Sequence, residues 1–504
     1  MTDPLSTEIP GVAGSRVKPD VELYFLVALV VVSIVMRWIG LDHWPGINGD
    51  EAFYAGDARL FLHGLPFSCR TLTGRIITPT YALPTLLLQA FFAPNAWLLR
   101  LPAFISGTLS AIFAYPLLKR VLDQPTARIA TAWTTCLAVH IAYSRCAWES
   151  SQSVPATLLV VYFALRGSPW KTALAWMAAT VIHTANVFLF PIAFAPILYD
   201  LHQAKRLPRT SWLILWGICL WFIGLLLVNK ALPNYQMRIP TAGDCGQFLV
   251  GFTRIFSGVL MFSGFSAALR PGVCNILDAA TTSGMVLLIA TGFRRLKGRD
   301  IAFAAGVIVA AAAIFAVANI VPFSVGFERY SLWLALPSLV VFALLWPKGI
   351  GARIAAYALS VAMLASFVTF YFVPMAEFGG SSARQCHAGK SDPKYEAAKW
   401  ISADAAHAST VCIVPEDEEM KWVVVACLLD RHERKLDLIA SQSIEDLQDV
   451  LLRRNGYLVG YGDGNFGSVI AQLSSKNPSQ VFVEKDFLDS AGLPFVKVWK
   501  AAKR

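Results

Sequence analysis

Val21-Glu22-Leu23-Tyr24-Phe25-Leu26-Val27-Ala28-Leu29-Val30-Val31-Val32-Ser33-Ile34-Val35-Met36-Arg37-Trp38-Ile39 is the first long apolar run of the chain. A few residues later comes Asn48-Gly49-Asp50-Glu51-Ala52-Phe53-Tyr54-Ala55-Gly56-Asp57. The run is long enough to cross about 30 Å of hydrocarbon as a helix. The carboxylate pair Asp50-Glu51 therefore emerges where the chain leaves a bilayer. Acids there are costly against lipid and useful facing a water-filled cavity. A solvated loop is the plain alternative, and the rest of the chain has to decide between them.

Composition extends the membrane reading to most of the molecule. Of 504 residues, 56% are hydrophobic and only 15% charged, against about 25% charged in a soluble domain. Between Leu101 and Ala376 the only acids are Asp123, Glu149, Asp200, Asp244, Asp278, Asp300 and Glu328, whereas eighteen follow Ala376. That shift places a domain boundary near Pro374. The expected organisation is a cytoplasmic tail over 1–20, a transmembrane domain over 21–375 whose first loop is 40–100, and a soluble domain over 376–504.

Further apolar runs fall at about 101–118, 126–143, 152–166, 171–185, 186–200, 211–228, 278–293, 301–321, 330–346 and 352–373. With the first they predict an α-helical polytopic membrane protein of about eleven spans. The stretch 80–99, broken by Pro84, Pro94 and Asn95, fits either a span or a helix lying at the interface. Lys and Arg cluster in alternate connections: Lys119/Arg120/Arg128, Arg166/Lys171, Lys205/Arg206/Arg209, Arg294/Arg295/Lys297/Arg299 and Lys348/Arg353. The positive-inside rule makes those connections cytoplasmic. That assignment requires 40–100 to cross the membrane zero or two times; with zero, the reading adopted, the N-terminus is inside and the C-terminal domain outside. Asp50/Glu51, Arg145/Glu149, His183, the long loop 229–277 and Glu328/Arg329 then share the external face.

The formal net charge of +10 is accounted for by these orienting clusters, so no nucleic-acid partner is implied. Nine cysteines contain no CxxC pair, which leaves zinc and thioredoxin-type motifs unsupported. Cys245 and Cys274 share the long external loop and are candidates for a disulfide in an oxidising compartment. The N-terminal region reads as a retained anchor, without a cleavable signal. After Gly379, helix-like and strand-like pieces alternate, which predicts a small α/β domain with a largely parallel sheet. Gly460-Tyr461-Gly462-Asp463-Gly464 lacks GxGxxG spacing and reads as a turn rather than a nucleotide loop.

On the external face a carboxylate held partly out of water has the raised basicity a general base needs. Arginines supply a permanent charge that grips phosphate oxygens in a fork. Asp50 and Glu51 are the catalytic candidates. Tyr54, Arg59, Arg75, Arg145, His183, Glu328 and Arg329 are the candidates for substrate binding. Each has a structural alternative: an Arg145–Glu149 ion pair at i, i+4; an Arg59 that orients the loop; a His183 satisfied at its turn; a Glu328-Arg329 pair snorkelling at the interface.

As an ordered series these pieces resemble the GT-C superfamily of polyprenyl-phosphate-sugar-dependent glycosyltransferases, in the branch of the protein O-mannosyltransferases and the lipid A aminoarabinose transferases. The matching residues are Gly49-Asp50-Glu51-Ala52-Phe53-Tyr54-Ala55 and Leu99-Arg100-Leu101-Pro102-Ala103-Phe104-Ile105-Ser106-Gly107. Ser144-Arg145, His183-Thr184 and Arg329-Tyr330 with Pro337 extend the match, which covers about 21–375. The resemblance implies an inner-membrane enzyme that moves a sugar from a polyprenyl-phosphate donor to an acceptor hydroxyl on the periplasmic side, usually with inversion. It makes Asp50 the general base, has Glu51 position that base or the sugar, and makes Arg145 and Arg329 the candidates to hold the departing lipid phosphate. One departure is the branch's Lys-Pro-Pro-Leu-Tyr-like string, which here reads Ile77-Thr78-Pro79-Thr80-Tyr81; Arg75 is the candidate to replace the missing lysine. No cofactor is evident, although some related enzymes use a divalent metal. The sequence does not choose between protein, lipid and glycan acceptors. The soluble domain is open between contacting the acceptor or a partner and capping the cavity. Two other functional classes stay open: a transporter or flippase of a lipid-linked anionic substrate, and a non-catalytic membrane scaffold.

Overall fold

A computed structural model describes residues 19–42, 51, 54, 58, 61–62, 79–92, 96–204, 211–212, 215–221, 223, 242–257, 271–316, 327–372, 393–404, 410–413, 437–440, 443–461, 466–488, 492 and 494–501. The first apolar run forms helix α1 (Pro19–Trp38), whose 20 residues rise about 30 Å, the thickness of the hydrocarbon core. The stretch read as span or interface helix gives α2 (Pro79–Phe91), only 13 residues long. That is about 20 Å, too short to cross upright.

The bundle continues with α3 (Ala96–Leu118), α4 (Gln124–Cys136), α5 (Ala138–Tyr143), α6 (Ser153–Arg166), α7 (Pro169–Ile182) and α8 (Phe190–Gln203). It then adds α9 (Ala242–Ser257), α10 (Pro271–Gly292), α11 (Arg299–Ala316), α12 (Phe327–Leu345) and α13 (Ile350–Phe372). Asp123 starts α4 by accepting a hydrogen bond from the Thr126 amide at 2.9 Å, an N-cap followed by Pro125 in the first turn. Gly167, at φ 71°, ends α6 in the left-handed conformation that a side chain resists.

Among the described residues, five helical stretches are long and apolar enough to cross a membrane: Val21–Trp38, Trp97–Leu118, Thr184–Gln203, Ile276–Arg295 and Ile350–Val368. Phe248–Ser257 and Ser331–Leu345 are shorter apolar helices. The expected eleven is therefore not established as a count, and 213, 214, 222 and 224–228 of the run 211–228 lie outside the described residues. Two spans, Val21–Trp38 and Ile276–Arg295, bury only 17% and 11% of their positions. Apolar surface left that open is surface that meets lipid.

Three expectations need correction. The run 126–143 is two helices, because Leu137 between them is extended (φ −62°, ψ 118°). The stretch 229–277 is no continuous loop: it contains α9 and the start of α10, joined by the Arg254 Nε–Asp278 Oδ2 contact at 2.8 Å. The side chains of Cys245 and Cys274 are outside the described residues. Finally, the C-terminal sheet is mixed rather than largely parallel. Its strands β1 (Thr410–Ile413), β2 (Asp437–Ala440), β3 (Tyr457–Tyr461), β4 (Phe482–Leu488) and β5 (Pro494–Ala501) run in the order β2-β1-β3-β5-β4. β1 pairs parallel with β2 and β3, while β5 is antiparallel to both β3 and β4. Helices α14 (Pro393–Asp404), α15 (Ile444–Gln448) and α16 (Phe466–Lys476) accompany the sheet. Cys412, Leu447, Val450, Leu458, Leu473 and Trp499 form its own core.

Polar contacts define the two ends of the bundle. At one end Lys119 meets Glu22 (2.6 Å), Lys348 meets Asp123 (2.5 Å) and Arg299 meets Asp200 (2.8 Å). Arg295 Nη1 there donates to the Leu345 carbonyl at 2.7 Å. These are the basic connections. The other end gathers the C-terminus of α1, the N-terminus of α3, the segment after α5 and the C-terminus of α7.

Candidate active site

Glu51, Tyr54 and Ala58 lie in helical backbone at spacings of three and four, which share one face. All three are buried, Glu51 completely. A solvated loop acid would not be. Glu51 meets Arg100 of α3 in a two-point fork: Nε donates to Oε1 at 3.0 Å and Nη2 to Oε2 at 2.9 Å. The Ala147 amide donates to Oε1 at 2.5 Å. Arg100 Nη1 reaches the Leu41 carbonyl, just past α1, at 3.0 Å. A carboxylate and a guanidinium buried together survive only when paired and hydrogen-bonded this fully. The fork ties three segments that are distant in sequence: the acid stretch, α3 and the turn after α5.

Beside it is a second group. Tyr54 Oη donates to Glu149 Oε2 at 2.5 Å, the short distance of a hydroxyl on a carboxylate. His183 Nε2 lies 3.8 Å from Glu149 Oε1, an ion pair only when the ring is protonated. The Tyr54 and Tyr81 rings are 5.5 Å apart, and Tyr81 Oη donates to the Leu99 carbonyl at 3.4 Å. His183 is placed by the end of α7, where its extended backbone stops the helix.

Arg145 is fully buried. Its Nη1 and Nη2 donate to the carbonyls of Met36 (2.9 Å) and Ile39 (2.6 Å) at the end of α1. A cation there meets unsatisfied carbonyls and the negative end of the helix dipole. Arg145 thus fastens α1 to the segment after α5. Deeper in, Arg37 donates to Ser33 and lies 3.1 Å from His140 Nδ1, while His140 Nε2 is 3.1 Å from Ser110 Oγ.

The structure therefore brings Glu51, Tyr54, Arg145 and His183 to one end of the bundle. Glu328 and Arg329 are in the first turn of α12, opposite the end where its Leu345 meets Arg295; their side chains are outside the described residues. Asp50, Arg59 and Arg75 lie outside the described residues. Among those described, no cluster of three metal-type side chains occurs.

Arg100 belongs to the site although the sequence pattern assigns it no role. Its signal was present: a lone charge inside the apolar string Leu98-Leu99-Arg100-Leu101-Pro102 needs a buried partner. The i, i+4 spacing offers Glu149 to Arg145 as one alternative, and its contacts with Tyr54 and His183 are long-range ones that no spacing reveals.

The fold and this site define a class: a multi-pass helical membrane protein with a buried ionic and phenolic cluster at one end of its bundle. No protein-family model and no curated protein matches the chain. Among solved structures it is similar to ArnT from Cupriavidus metallidurans in the apo state, at 13% identity over 95% of this chain and 98% of that one, TM-score 0.45. It is similar to the Archaeoglobus fulgidus oligosaccharyltransferase in the apo form, at 13% identity over 94% and 70%, TM-score 0.48. A third is the mycobacterial arabinofuranosyltransferase AftD, at 13% identity over 96% and 42%, TM-score 0.40. All three are GT-C glycosyltransferases.

Proposed function

We propose that this protein is a membrane glycosyltransferase that moves a sugar from a polyprenyl-phosphate donor to an acceptor hydroxyl on the extracytoplasmic face. The observation that carries the reading is the burial of Glu51 in its fork with Arg100 and the Ala147 amide. An acid pair after a first span is ordinarily wet. Here one member is built into the core at the bundle end opposite the basic connections. Asp50 is the residue that precedes it in the sequence.

In this reading Asp50 takes the proton of the acceptor hydroxyl as its oxygen attacks the anomeric carbon. The sugar–phosphate bond breaks from the opposite side, and the lipid phosphate leaves with the electron pair, inverting the centre. Glu51 and Arg100 hold the segment, and Arg145 fastens the neighbouring helix end. Tyr54, Glu149 and His183, buried beside the fork, are assigned to hydroxyls of sugar or acceptor. Arg329, with Arg59 or Arg75, is assigned to the departing phosphate, whose growing charge needs a preplaced cation. The sidedness rests on the positive-inside distribution of Lys and Arg, with the N-terminus inside and the domain 376–504 outside.

The test uses purified full-length protein in lipid nanodiscs with labelled polyprenyl-phosphate sugars. Asp50→Asn is expected to keep donor binding and to lose about 10²–10⁴-fold in transfer, the scale of general-base catalysis. Transfer by Asp50→Asn at the unmodified rate removes the proposed base. Movement of intact lipid-linked sugar across liposomes with no transfer assigns the flippase function instead.

A further inference from the structure

Far from the candidate active site, a cavity of about 620 Å³ lies between α4, α9, α10, α12 and α13. One wall is Ala280, Gly284 and Leu288 of α10; the facing wall is Ala355, Leu359 and Met363 of α13. Both sets recur every four residues, so each lines a groove along its helix. From Ala280 to Thr291, which also lines it, the slot runs about 17 Å by helix rise. That is about the depth of one bilayer leaflet.

The slot exists because its walls are small. A Cβ added to Gly284 would meet no heavy atom within 4 Å, and Gly284 and Ala355 are exposed toward the bilayer side. Trp133 and Trp346 close its inner side, edge to face at 5.2 Å. Trp346 Nε1 donates to the Ala352 carbonyl at 2.6 Å, and an anchored indole near a helix end marks the membrane–water interface. The end of the slot at Thr291 and Trp346 is the basic end of the bundle. Arg295 follows Thr291 by one turn, spends Nη1 on the Leu345 carbonyl and is exposed, as are Arg294 and Lys297. Acids at that end include Asp200 and Asp123, paired with Arg299 and Lys348, and Asp300 beside Arg299.

We propose that this slot binds an anionic phospholipid of the leaflet on the basic side, one acyl chain lying between α10 and α13 and its phosphate held by Arg295 with Arg294 or Lys297. The apolar walls take a chain, and the exposed basic side chains at the mouth select the headgroup by its net charge: a guanidinium can fork the phosphate of either lipid, but basic groups at this level attract an anionic lipid and repel the choline cation of a zwitterionic one. The site is separate from the sugar-transfer reading and stands without it.

The experiment is native mass spectrometry of the full-length protein with phosphatidylglycerol and phosphatidylcholine of identical chains. The unmodified protein is expected to retain phosphatidylglycerol about five-fold over phosphatidylcholine, the scale of one basic contact at a membrane surface. Arg295→Gln is expected to bring the two lipids level. Gly284→Leu fills the slot and is expected to lower retention of both. Gly217→Leu, also facing open space but outside the slot, is expected to behave as the unmodified protein. Equal retention of the two lipids by the unmodified protein overturns the proposal, as does full phosphatidylglycerol retention by Gly284→Leu. If Gly284→Leu fails to fold, Arg295→Gln decides: an unchanged preference for phosphatidylglycerol overturns the assignment of the headgroup.

Discussion

Glu51 and Arg100 are the residue pair on which the bundle end depends, because neither exposes any side-chain surface. Removing one partner leaves the other charge buried alone, which costs about 3–5 kcal/mol. Arg100→Met and Glu51→Gln are therefore expected to lower thermal stability sharply, while Asp50→Asn is expected to leave the melting temperature unchanged and stop turnover. A paired replacement, Glu51→Leu with Arg100→Met, is expected to recover most of the stability and, with the segment held, part of the transfer; recovered stability with no transfer would give the fork a part in the chemistry itself. Tyr54→Phe deletes a hydrogen bond to a carboxylate, which contributes about 1.5–3 kcal/mol, and a melt of that variant reads the loss directly. Much of this was legible in the chain. The acid pair after a span and the charges near span ends are local signals. What could not be read is the pairing, since Glu51 joins Arg100 and Tyr54 joins Glu149 across long sequence separations. Arg145 illustrates the limit: a conspicuous arginine near a span end looked equally suited to a ligand, an acid or a helix terminus, and its contacts with Met36 and Ile39 exist only in the folded chain.

Among the elements, long apolar helices were the easiest to foresee and their interruptions the hardest. The break at Leu137 lies in a segment that is buried all round, so hydrophobic periodicity carries no mark of it. Helix α9 looks like loop in the sequence because Gly243, Asp244, Gly246, Thr253 and Arg254 dilute its hydropathy. Its apolar side is nonetheless a regular stack, Phe248 to Phe252 at 6.2 Å and Phe252 to Phe256 at 5.3 Å, the i, i+4 spacing of a helix face. The antiparallel half of the sheet was legible after all. Only five residues separate Leu488 from Pro494, and a parallel crossover needs a dozen or more. Close helix approach yields a prediction. A Cβ on Gly306 of α11 would sit 2.5 Å from the Pro191 carbonyl oxygen of α8, backbone that cannot swing aside. Gly306→Val is expected to loosen that helix pair and lower the melting temperature, whereas Gly217→Ala, facing open space, should leave it unchanged. The sheet yields another. Partial burial raises the Asp404 carboxyl, but the hydrogen bonds from Lys500 and Tyr457 outweigh it and hold it below its ordinary value. A depressed acid contributes stability that is full above its unfolded value near 4 and is lost as pH falls through the folded one. Amide protection in β3 and β5 of the full chain, taken relative to the intrinsic exchange rate at each pH, should therefore fall below about pH 4, and Asp404→Asn should flatten that pH dependence.

At the scale of the whole molecule, the chain is polarised along the membrane normal. One end collects lysines and arginines bonded to one another's helices through Glu22, Asp123 and Asp200; the other collects the buried fork and the Tyr54–Glu149–His183 group. A polyprenyl-phosphate sugar presented outside the cytoplasm is usable only if the second end faces that side, so topology is a direct check on the functional reading. Lys297 is exposed at the basic end, and Lys476 is exposed on α16 of the C-terminal sheet unit, which makes them opposite reporters. Single cysteines at these positions are to be treated in intact cells with a membrane-impermeant maleimide and scored as label gained over the parent chain, because Cys219 is itself exposed. The Lys476→Cys chain is expected to label in intact cells, and the Lys297→Cys chain only after permeabilisation, as the concentration of Lys and Arg at that end requires of a cytoplasmic face. The reverse pattern would put Glu51, Tyr54 and His183 in the cytoplasm, where an acceptor outside the cell could not reach Asp50, and the proposed reaction would have to be given up even with the fork intact.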